Sequence, residues 1–423
     1  MSPHALRSES LGQRQPLDLS KFAVTRNAFI PEDSLPKMLS DSHYEPWELV
    51  AHNLPELIQS GRVHVAIREL PILSTECLKS EAEWRRAYVI LSFFAHAYIW
   101  GGEKPEEILP PSVTVPYLRV SAHLELPPTL TYAGANLWNF SCKGDDFTNL
   151  EDLSTLLSFT GTESESWFLL ISVAMEAKAG YILHTMIRAL EAVKTRDYQV
   201  IIEGLEELKS CIENVGALLE RMYERCEPMI FYHQIRPFLA GSMNMEAAGL
   251  PRGVFYDEGN GKGEWRQLRG GSNGQSSLIQ FFDVVLGVDH NGHSATEKSF
   301  HSEVRDYMPG PHAKFLVHAA RLGSIRELAL VTPVREEQHL LRAAYTAATD
   351  ALTQFRNKHI QIVTRYIILP SKQPWSGPTR QNLASSSTEK KGEGLTGTGG
   401  TQLLPFLKQS RDETNFAGKL EKS

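Results

Sequence analysis

Apolar positions in the last third of the chain follow the period of one long helix. They recur at steps of three and four, which is the spacing of a single helix face, at Leu341, Ala344, Ala348, Leu352, Phe355, Ile362 or Val363, and Tyr366. Thr332 and Pro333 predict the helix start, as an N-cap and a first-turn proline, and Pro370 predicts its end. One imidazole, His359, falls on this face, where a core side chain is expected.

The pattern before this helix predicts a mainly α-helical protein. Residues 167 to about 193 are apolar over most of a helix circumference, so we expect a buried central helix. Residues 198–226 carry charges on one side and predict a covering helix. Two more helices are predicted at residues 275–286 and 311–322. We therefore expect a large helical domain at residues 158–370, built as a bundle.

Residues 19–157 show a mixed pattern that is rich in proline. Helical periods occur at residues 47–51 and 84–91, whereas residues 110–113 and 126–128 predict connections. We expect a smaller, mostly helical N-terminal domain.

Three segments lie outside these two domains. Residues 1–18 are polar and predict a disordered leader. Residues 371–401 are polar, contain glycines and lack any period, which predicts a mobile loop. Residues 402–423 begin with an apolar run, so we expect them to pack back on the large domain. A loop tethered in this way has the form of a lid.

Composition narrows the class of protein. The chain has 423 residues, 42% of them hydrophobic, and a net charge of −7, with no cluster of basic and aromatic residues. We expect a globular monomer that binds neither nucleic acid nor an anionic membrane. Its four cysteines form no CxxC pair. Residues 1–20 are polar and lack the apolar core of a signal peptide, and the longest apolar run, at residues 167–175, is too short to span a membrane. These features predict a cytoplasmic protein.

His359 has two interpretations from the residues alone. A neutral imidazole facing an apolar cavity can hold an iron porphyrin from one side and leave the opposite side open to oxygen. The other interpretation is a buried histidine that is hydrogen-bonded to a neighbour. His290 and His293 also stand three apart, but in a polar loop without cysteines. We expect them to be exposed rather than to bind a metal.

The sequence around His359 favours the first interpretation by resemblance. Residues 355–367 read FRNKHIQIVTRYI and closely resemble the proximal-histidine helix of the indoleamine 2,3-dioxygenase family, haem enzymes that open the pyrrole ring of tryptophan. Four further segments resemble the family in order and spacing. They are residues 168–172, 231–241, 270–277 and 397–401.

The resemblance implies individual roles around a haem b group. His359 would ligate the iron, and Arg356 would pair with a haem propionate and be positioned by Asp283. Gly270 would lie against the distal face of the haem, because glycine lets the backbone approach a flat ring closely. No residue is assigned as a general acid or base, and His233 is expected to be displaced from Phe231 and Arg236.

Substrate contacts follow from the same resemblance. Arg236 would hold the substrate carboxylate with its guanidinium fork, and Thr398 would close over the amino-acid end. The indole pocket would be formed by Tyr132, Phe168, Ser172, Phe231, Gly271, Ser272 and Asn273. Asn273 replaces the small apolar residue of animal members, and Ala135 stands where some members have cysteine.

The implied activity is cleavage of the indole C2–C3 bond of L-tryptophan with O₂ to N-formylkynurenine. This is the first step of the kynurenine route toward NAD, and it requires a cellular reductant that keeps the iron ferrous. Two alternatives remain: a non-enzymatic haem protein that binds or senses oxygen, and a helical interaction protein without a cofactor. The presence of Arg236 and Thr398 favours the enzyme.

Overall fold

The computed structural model describes residues 18–290, 299–375, 395, 397–398 and 402–420. The mainly helical fold predicted from the sequence is confirmed. All but the last residue of the leader expected at 1–18, and most of the loop expected at 371–401, lie outside the described residues. The helices are α1 (Glu45–His52), α2 (Leu54–Gln59), α3 (Val63–Arg68), α4 (Glu81–Trp100), α5 (Pro111–His123), α6 (Glu163–Lys178), α7 (Gly180–Ala192), α8 (Tyr198–Glu220), α9 (Met222–Arg225), α10 (Pro228–Ile230), α11 (Arg236–Leu239), α12 (Ser277–Leu286), α13 (Phe300–Glu303), α14 (Gly310–Ala320), α15 (Ile325–Leu330), α16 (Glu336–Val363) and α17 (Leu403–Ala417).

Two helices provide the frame of the site. Helix α16 packs along α8 over most of its length, and α17 lies on another side of α16. Arg342 Nη2 donates to the Leu420 carbonyl at 2.9 Å, and Tyr345 Oη donates to the Ala417 carbonyl at 3.3 Å. The C-terminal segment is thus fastened to the helix that carries His359.

Two small sheets complete the fold. Strand β1 (Ile108–Leu109) pairs in parallel with β4 (Val254–Gly259), and β4 pairs antiparallel with β5 (Lys262–Arg266). Strands β2 (Phe140–Cys142) and β3 (Leu153–Thr155) form an antiparallel pair. The β1–β4 pairing joins the N-terminal part of the chain to its middle.

The predicted central helix is two helices. Helices α6 and α7 meet at a bend of 44°, because Gly180 packs against the backbone near the N-terminus. A Cβ atom at Gly180 would lie 1.7 Å from the Arg26 carbonyl oxygen, so only glycine fits there. Among the described residues no single helix could span a membrane; the bent α6–α7 pair alone has sufficient length and apolar character.

Two other boundaries were predicted wrongly. Residues 110–113 were expected to be a connection, but Pro111 is the first residue of α5 and occupies the helical position that tolerates proline. Helix α16 begins at Glu336 rather than near Thr332. Gln338 Oε1 accepts hydrogen bonds from the backbone N–H groups of Val334 and Arg335, at 2.7 and 3.1 Å, and so sets the start.

Candidate active site

A large cavity lies between α6, α16, the segment at residues 231–241, the glycine-rich loop at residues 270–274 and α17. Its empty volume is about 1810 Å³, including the part open to solvent. All the predicted site residues except Gly270 and Asp283 line it. The lining therefore includes Tyr132, Phe168, Ser172, Phe231, Arg236, Gly271, Ser272, Asn273, Arg356, His359 and Thr398.

His359 projects from α16 into this cavity. Burial in protein, together with the positive charge of Arg356, lowers the pKa of His359 to about 4, so the imidazole is neutral at pH 7. No side chain or backbone group in the described ranges hydrogen-bonds to its ring. A neutral imidazole with both nitrogen atoms unused is suited to binding a metal centre.

Arg356 lies one helical turn before His359 and forms a buried ion pair. Its Nη2 donates to both oxygens of Asp283 at 2.8 Å, and its Nη1 donates to the Ser410 carbonyl at 2.7 Å and to the Thr414 hydroxyl. Burial alone would raise the pKa of Asp283, but Arg356 and His290 outweigh it and lower that pKa to about 2. None of the described residues accepts a hydrogen bond from Arg356 Nε, which leaves one donor for a ligand.

Aromatic rings form one wall of the cavity. The centroids of Phe168 and Phe231 are 4.9 Å apart with the planes at 63°, and Phe231 meets Tyr366 edge-on at 5.9 Å. Such tilted pairs are favourable ring geometries and fix one another. Ser172 lies one turn after Phe168 on α6 and is 8% exposed. This wall offers an apolar surface of ring edges and faces, with the Ser172 hydroxyl beside it.

Glu176 also lines the cavity and was not predicted from the sequence. Its Oε1 accepts from Ser276 Oγ at 3.1 Å and from Tyr132 Oη at 3.4 Å. Burial raises the pKa of Glu176 to about 8, although hydrogen bonds from both hydroxyls act in the opposite direction. The i, i+4, i+8 spacing of Phe168, Ser172 and Glu176 could have indicated that all three share one face.

Arg236 is 1% exposed and reaches the cavity from the segment at residues 231–241. Because a proline disfavours helical backbone at the residue before it, Pro237 predicts a kink or turn at Arg236. The structure instead has a π-helical turn at Phe231–Ile235 and a helical conformation at Arg236, so the irregularity lies before the arginine. Burial lowers the pKa of Arg236, and a ligand carboxylate would offset this cost by pairing with the guanidinium.

Two side chains of α4 hold the end of this segment in place. His96 Nδ1 lies 2.7 Å from the Phe238 carbonyl, and Trp100 Nε1 donates to the Ala240 carbonyl at 2.9 Å. The Leu130 N–H donates to His96 Nε2 at 2.9 Å, so Nδ1 is the protonated nitrogen. Burial lowers the pKa of His96 to about 4 and keeps the ring neutral. The N-terminal part of the chain thereby positions Arg236.

The glycine-rich loop crosses the 231–241 segment at very short range. A Cβ atom at Gly241 would lie 2.2 Å from Gly270 N, and one at Gly270 would lie 2.1 Å from the Leu239 carbonyl oxygen. Gly270 therefore allows two backbone segments to pack closely, and it does not line the cavity. Thr398 joins this crossing, because its Oγ1 donates to the Gly271 carbonyl at 2.7 Å.

His233, which was expected to be displaced from Phe231 and Arg236, does not line the cavity. Its ring stacks on Trp375 with centroids 4.7 Å apart and planes at 15°. His290, in contrast, was expected to be exposed, and this is wrong: its side chain is 9% exposed. His293 lies outside the described residues.

Fold and cavity together define a class: a mainly helical protein with a neutral imidazole, a buried arginine and an aromatic wall around one cavity. The indoleamine 2,3-dioxygenase family profile matches residues 18–417. An indoleamine 2,3-dioxygenase of Penicillium citrinum is 38% identical over 406 residues, covering 94% of this chain and 88% of that protein. One from Saccharomyces cerevisiae is 39% identical over 425 residues, covering 94% and 92%. A 6-hydroxytryptophan 2,3-dioxygenase of Fusarium equiseti is 37% identical over 387 residues, covering 91% and 94%.

The chain belongs to the indoleamine 2,3-dioxygenase family, and it is a dioxygenase. Members of this family depend on haem, and the site fits that group on two observations. His359 is a neutral imidazole without a hydrogen bond from the described residues, and Arg356 keeps an Nε–H donor at the margin of the same apolar cavity.

Proposed function

We propose that the protein binds haem b through His359 and cleaves the indole C2–C3 bond of L-tryptophan with O₂, giving N-formylkynurenine. The observation that carries the proposal is the placement of a neutral imidazole and a buried guanidinium on one cavity with an aromatic wall. This reaction would open the kynurenine route toward NAD. A cellular reductant that keeps the iron ferrous belongs to the proposal.

In this proposal His359 holds the haem iron, and Arg356, fixed by Asp283, donates from Nε to a propionate. The haem, when bound, supplies the ferrous iron that activates dioxygen. A propionate is an anion, and the Arg356 guanidinium that would pair with it is already oriented by two hydrogen bonds to Asp283. Gly270 contributes by allowing the glycine-rich loop to lie close to Gly241.

Arg236 binds the substrate carboxylate in the proposed complex. A guanidinium pairs with a carboxylate through two parallel hydrogen bonds, and it keeps its charge in a closed site. Phe168 and Phe231 pack on the indole ring, and Ser172 and Tyr132 border it. Orientation of the reactants by such contacts supplies a large share of catalysis in many enzymes.

The remaining contacts close the cavity. Gly271, Ser272 and Asn273 line one side of it, and Thr398 is bonded to Gly271. We infer that the proposed small domain, residues 19–157, covers the distal side through Tyr132. No residue is proposed as a general acid or base. Glu176 is the one carboxyl of the described cavity lining, and a pKa of about 8 keeps it largely protonated at pH 7.

The substrate range is testable because a relative carries a different substrate in its name. The Fusarium equiseti relative is named for 6-hydroxytryptophan, so ring-substituted indoles belong in the assay. Purified protein is reduced without oxygen, mixed with O₂ and either L-tryptophan or 6-hydroxytryptophan, and the products are separated and identified by mass.

We expect an N-formylkynurenine product from L-tryptophan, with both added oxygen atoms labelled by ¹⁸O₂. His359→Ala should abolish the haem absorption band and turnover, whereas His339→Ala, which changes an exposed histidine on α16, should preserve both. A red, tryptophan-consuming His359→Ala protein would refute the assignment of the iron ligand. An unaltered L-tryptophan pool with wild-type protein would refute the substrate.

A further inference from the structure

Behind Arg356 lies a second polar cluster, which shares only Asp283 with the proposed haem site. It consists of Asp283 on α12, His290 just after α12, and His301 on α13. One carboxylate oxygen and one nitrogen from each imidazole all lie within 4.8 Å of one another. Asp283 is 3% exposed, and the side chain of His290 is 9% exposed, so the cluster is shielded from solvent.

Helix α17 orients both imidazoles from the outer side. His290 Nδ1 lies 2.5 Å from Glu413 Oε2, and His301 Nε2 lies 3.0 Å from Ser410 Oγ. The rings stack with centroids 3.8 Å apart and planes at 16°. The nitrogen atoms that remain are His290 Nε2 and His301 Nδ1, and both are buried without a hydrogen bond to any residue of the described ranges.

On the inner side of the cluster, lone pairs of His290 and Asp283 lie close together. Because Glu413 is a hydrogen-bond acceptor, His290 Nδ1 carries the proton, and Nε2 then presents a lone pair. That Nε2 atom lies 3.1 Å from Asp283 Oδ2. Two electron-rich atoms at this distance require a cation close to both, either a proton or a metal ion.

A metal ion accounts for one observation that a proton does not. A proton on His290 Nε2 would satisfy His290 and Asp283, but it would leave His301 Nδ1 buried and unused. A buried nitrogen atom without a hydrogen-bond partner destabilises the folded protein. An ion held between the three groups uses all three atoms.

We propose that Asp283, His290 and His301 form a binding site for a divalent first-row transition metal ion, with Zn²⁺ as the first candidate. Two imidazoles and one carboxylate suit Zn²⁺ or Fe²⁺ and leave a further coordination position open. Ca²⁺ and Mg²⁺ prefer oxygen ligands and fit this donor set poorly. The site does not include His359, but it shares Asp283 with the ion pair that fixes Arg356.

Glu413 and Arg356 complete the arrangement. Metal-binding histidines usually donate their second N–H to a carboxylate, which is the relation between His290 and Glu413. Arg356 Nη2 is 2.8 Å from both Asp283 oxygens, so the ion would share that carboxylate with the guanidinium. Ligation would also spread the two stacked rings, since parallel rings direct their lone pairs side by side rather than to one point.

The test measures metal binding by the purified full-length protein. A chelator first removes bound metal ions, and the chelator is then removed. Isothermal titration with ZnCl₂ gives affinity and stoichiometry, and elemental analysis counts the bound metal. We expect one Zn²⁺ per chain at this site. His290→Gln and His301→Phe should each weaken it at least tenfold, and Glu413→Gln should weaken it about 10- to 100-fold. His339→Ala, on the surface of α16, is the matched control and should bind as the wild type does.

The conservative variants keep the result interpretable. His301→Phe retains a ring for stacking against His290 and Phe406, and circular dichroism identifies any variant that fails to fold. X-ray absorption at the zinc edge should give nitrogen and oxygen neighbours at about 2.0–2.2 Å. Binding that is equal in wild type and both histidine variants, or no binding at all, would overturn the proposal. If no metal binds, the cation between His290 and Asp283 is a shared proton.

Discussion

Arg356 and Asp283 form a two-pronged ion pair at the edge of the cavity, with Nη2 at 2.8 Å from each carboxylate oxygen. The side chains are 8% and 5% exposed. The two residues are 73 positions apart in the chain and lie on different helices. The pair therefore fixes α12 to α16 at the turn before His359. It also holds a positive charge beside the position proposed for the haem.

Asp283→Ala is predicted to destabilise the protein and to weaken haem retention. Removal of one partner leaves the other as an uncompensated buried charge, which costs about 3–5 kcal/mol. Urea unfolding measures the free energy of unfolding, and gel filtration of the reconstituted protein measures haem retention. Glu224→Gln breaks the exposed pair with Arg221 and should cost less than about 1 kcal/mol. Equal losses in the two variants would contradict the role of the buried pair.

Glu176 is predicted to make stability fall as pH rises from about 4.5 to about 8. The pKa of this carboxyl is raised in the folded protein to about 8 from 4.5, so the folded state holds a proton that the unfolded state has lost. The stabilising contribution is complete below pH 4.5 and disappears as pH passes the folded value. The groups that face the carboxyl are the hydroxyls of Tyr132 and Ser276 and the Phe29 backbone.

Glu176→Gln should therefore flatten the dependence of the melting temperature on pH across that interval. Glutamine keeps the shape and an acceptor for Ser276 but does not titrate. Glu246→Gln changes an exposed carboxylate and serves as the control. A pH profile identical to that of the wild type would show that Glu176 titrates normally.

The sequence was sufficient wherever local periodicity decides the structure. The face of α16 that carries His359 follows from steps of three and four, and the turn at Asn260 and Gly261 between β4 and β5, both with positive φ, could have been predicted as an Asn-Gly hairpin. Contacts between distant segments could not. The exposure of His290 was predicted wrongly because Glu413, which covers it, is 123 residues later.

His233→Ala is predicted to have little effect on turnover. His233 stacks on Trp375 and does not line the cavity, so its removal should alter neither the haem nor the substrate contacts. Steady-state kinetics and the haem spectrum should remain within about twofold of the wild type, since surface changes usually cost about 0.5 kcal/mol or less. A large loss of turnover with the haem spectrum intact would show that this imidazole takes part in the reaction.

Arg236→Ala is predicted to impair binding of the amino-acid end of the substrate while leaving the haem spectrum unchanged. Loss of one partner of a buried charge pair costs about 2–5 kcal/mol, which corresponds to a fall in kcat/KM for L-tryptophan of about 30- to 5,000-fold. Tryptamine has the same indole ring but no carboxylate, so its kcat/KM should change little.

The ratio of the two substrates separates recognition from damage to the fold. In Arg236→Ala, the ratio of kcat/KM for L-tryptophan to kcat/KM for tryptamine should fall by nearly the same factor as kcat/KM for L-tryptophan itself. Arg236→Lys should restore only part of this ratio, because an ammonium cannot pair with a carboxylate through two parallel hydrogen bonds. Since His96 and Trp100 hold the end of the 231–241 segment through backbone carbonyls, the alanine variant should keep that segment in place. A parallel loss of activity on both substrates would mean that Arg236 supports the structure of the site rather than binding the carboxylate.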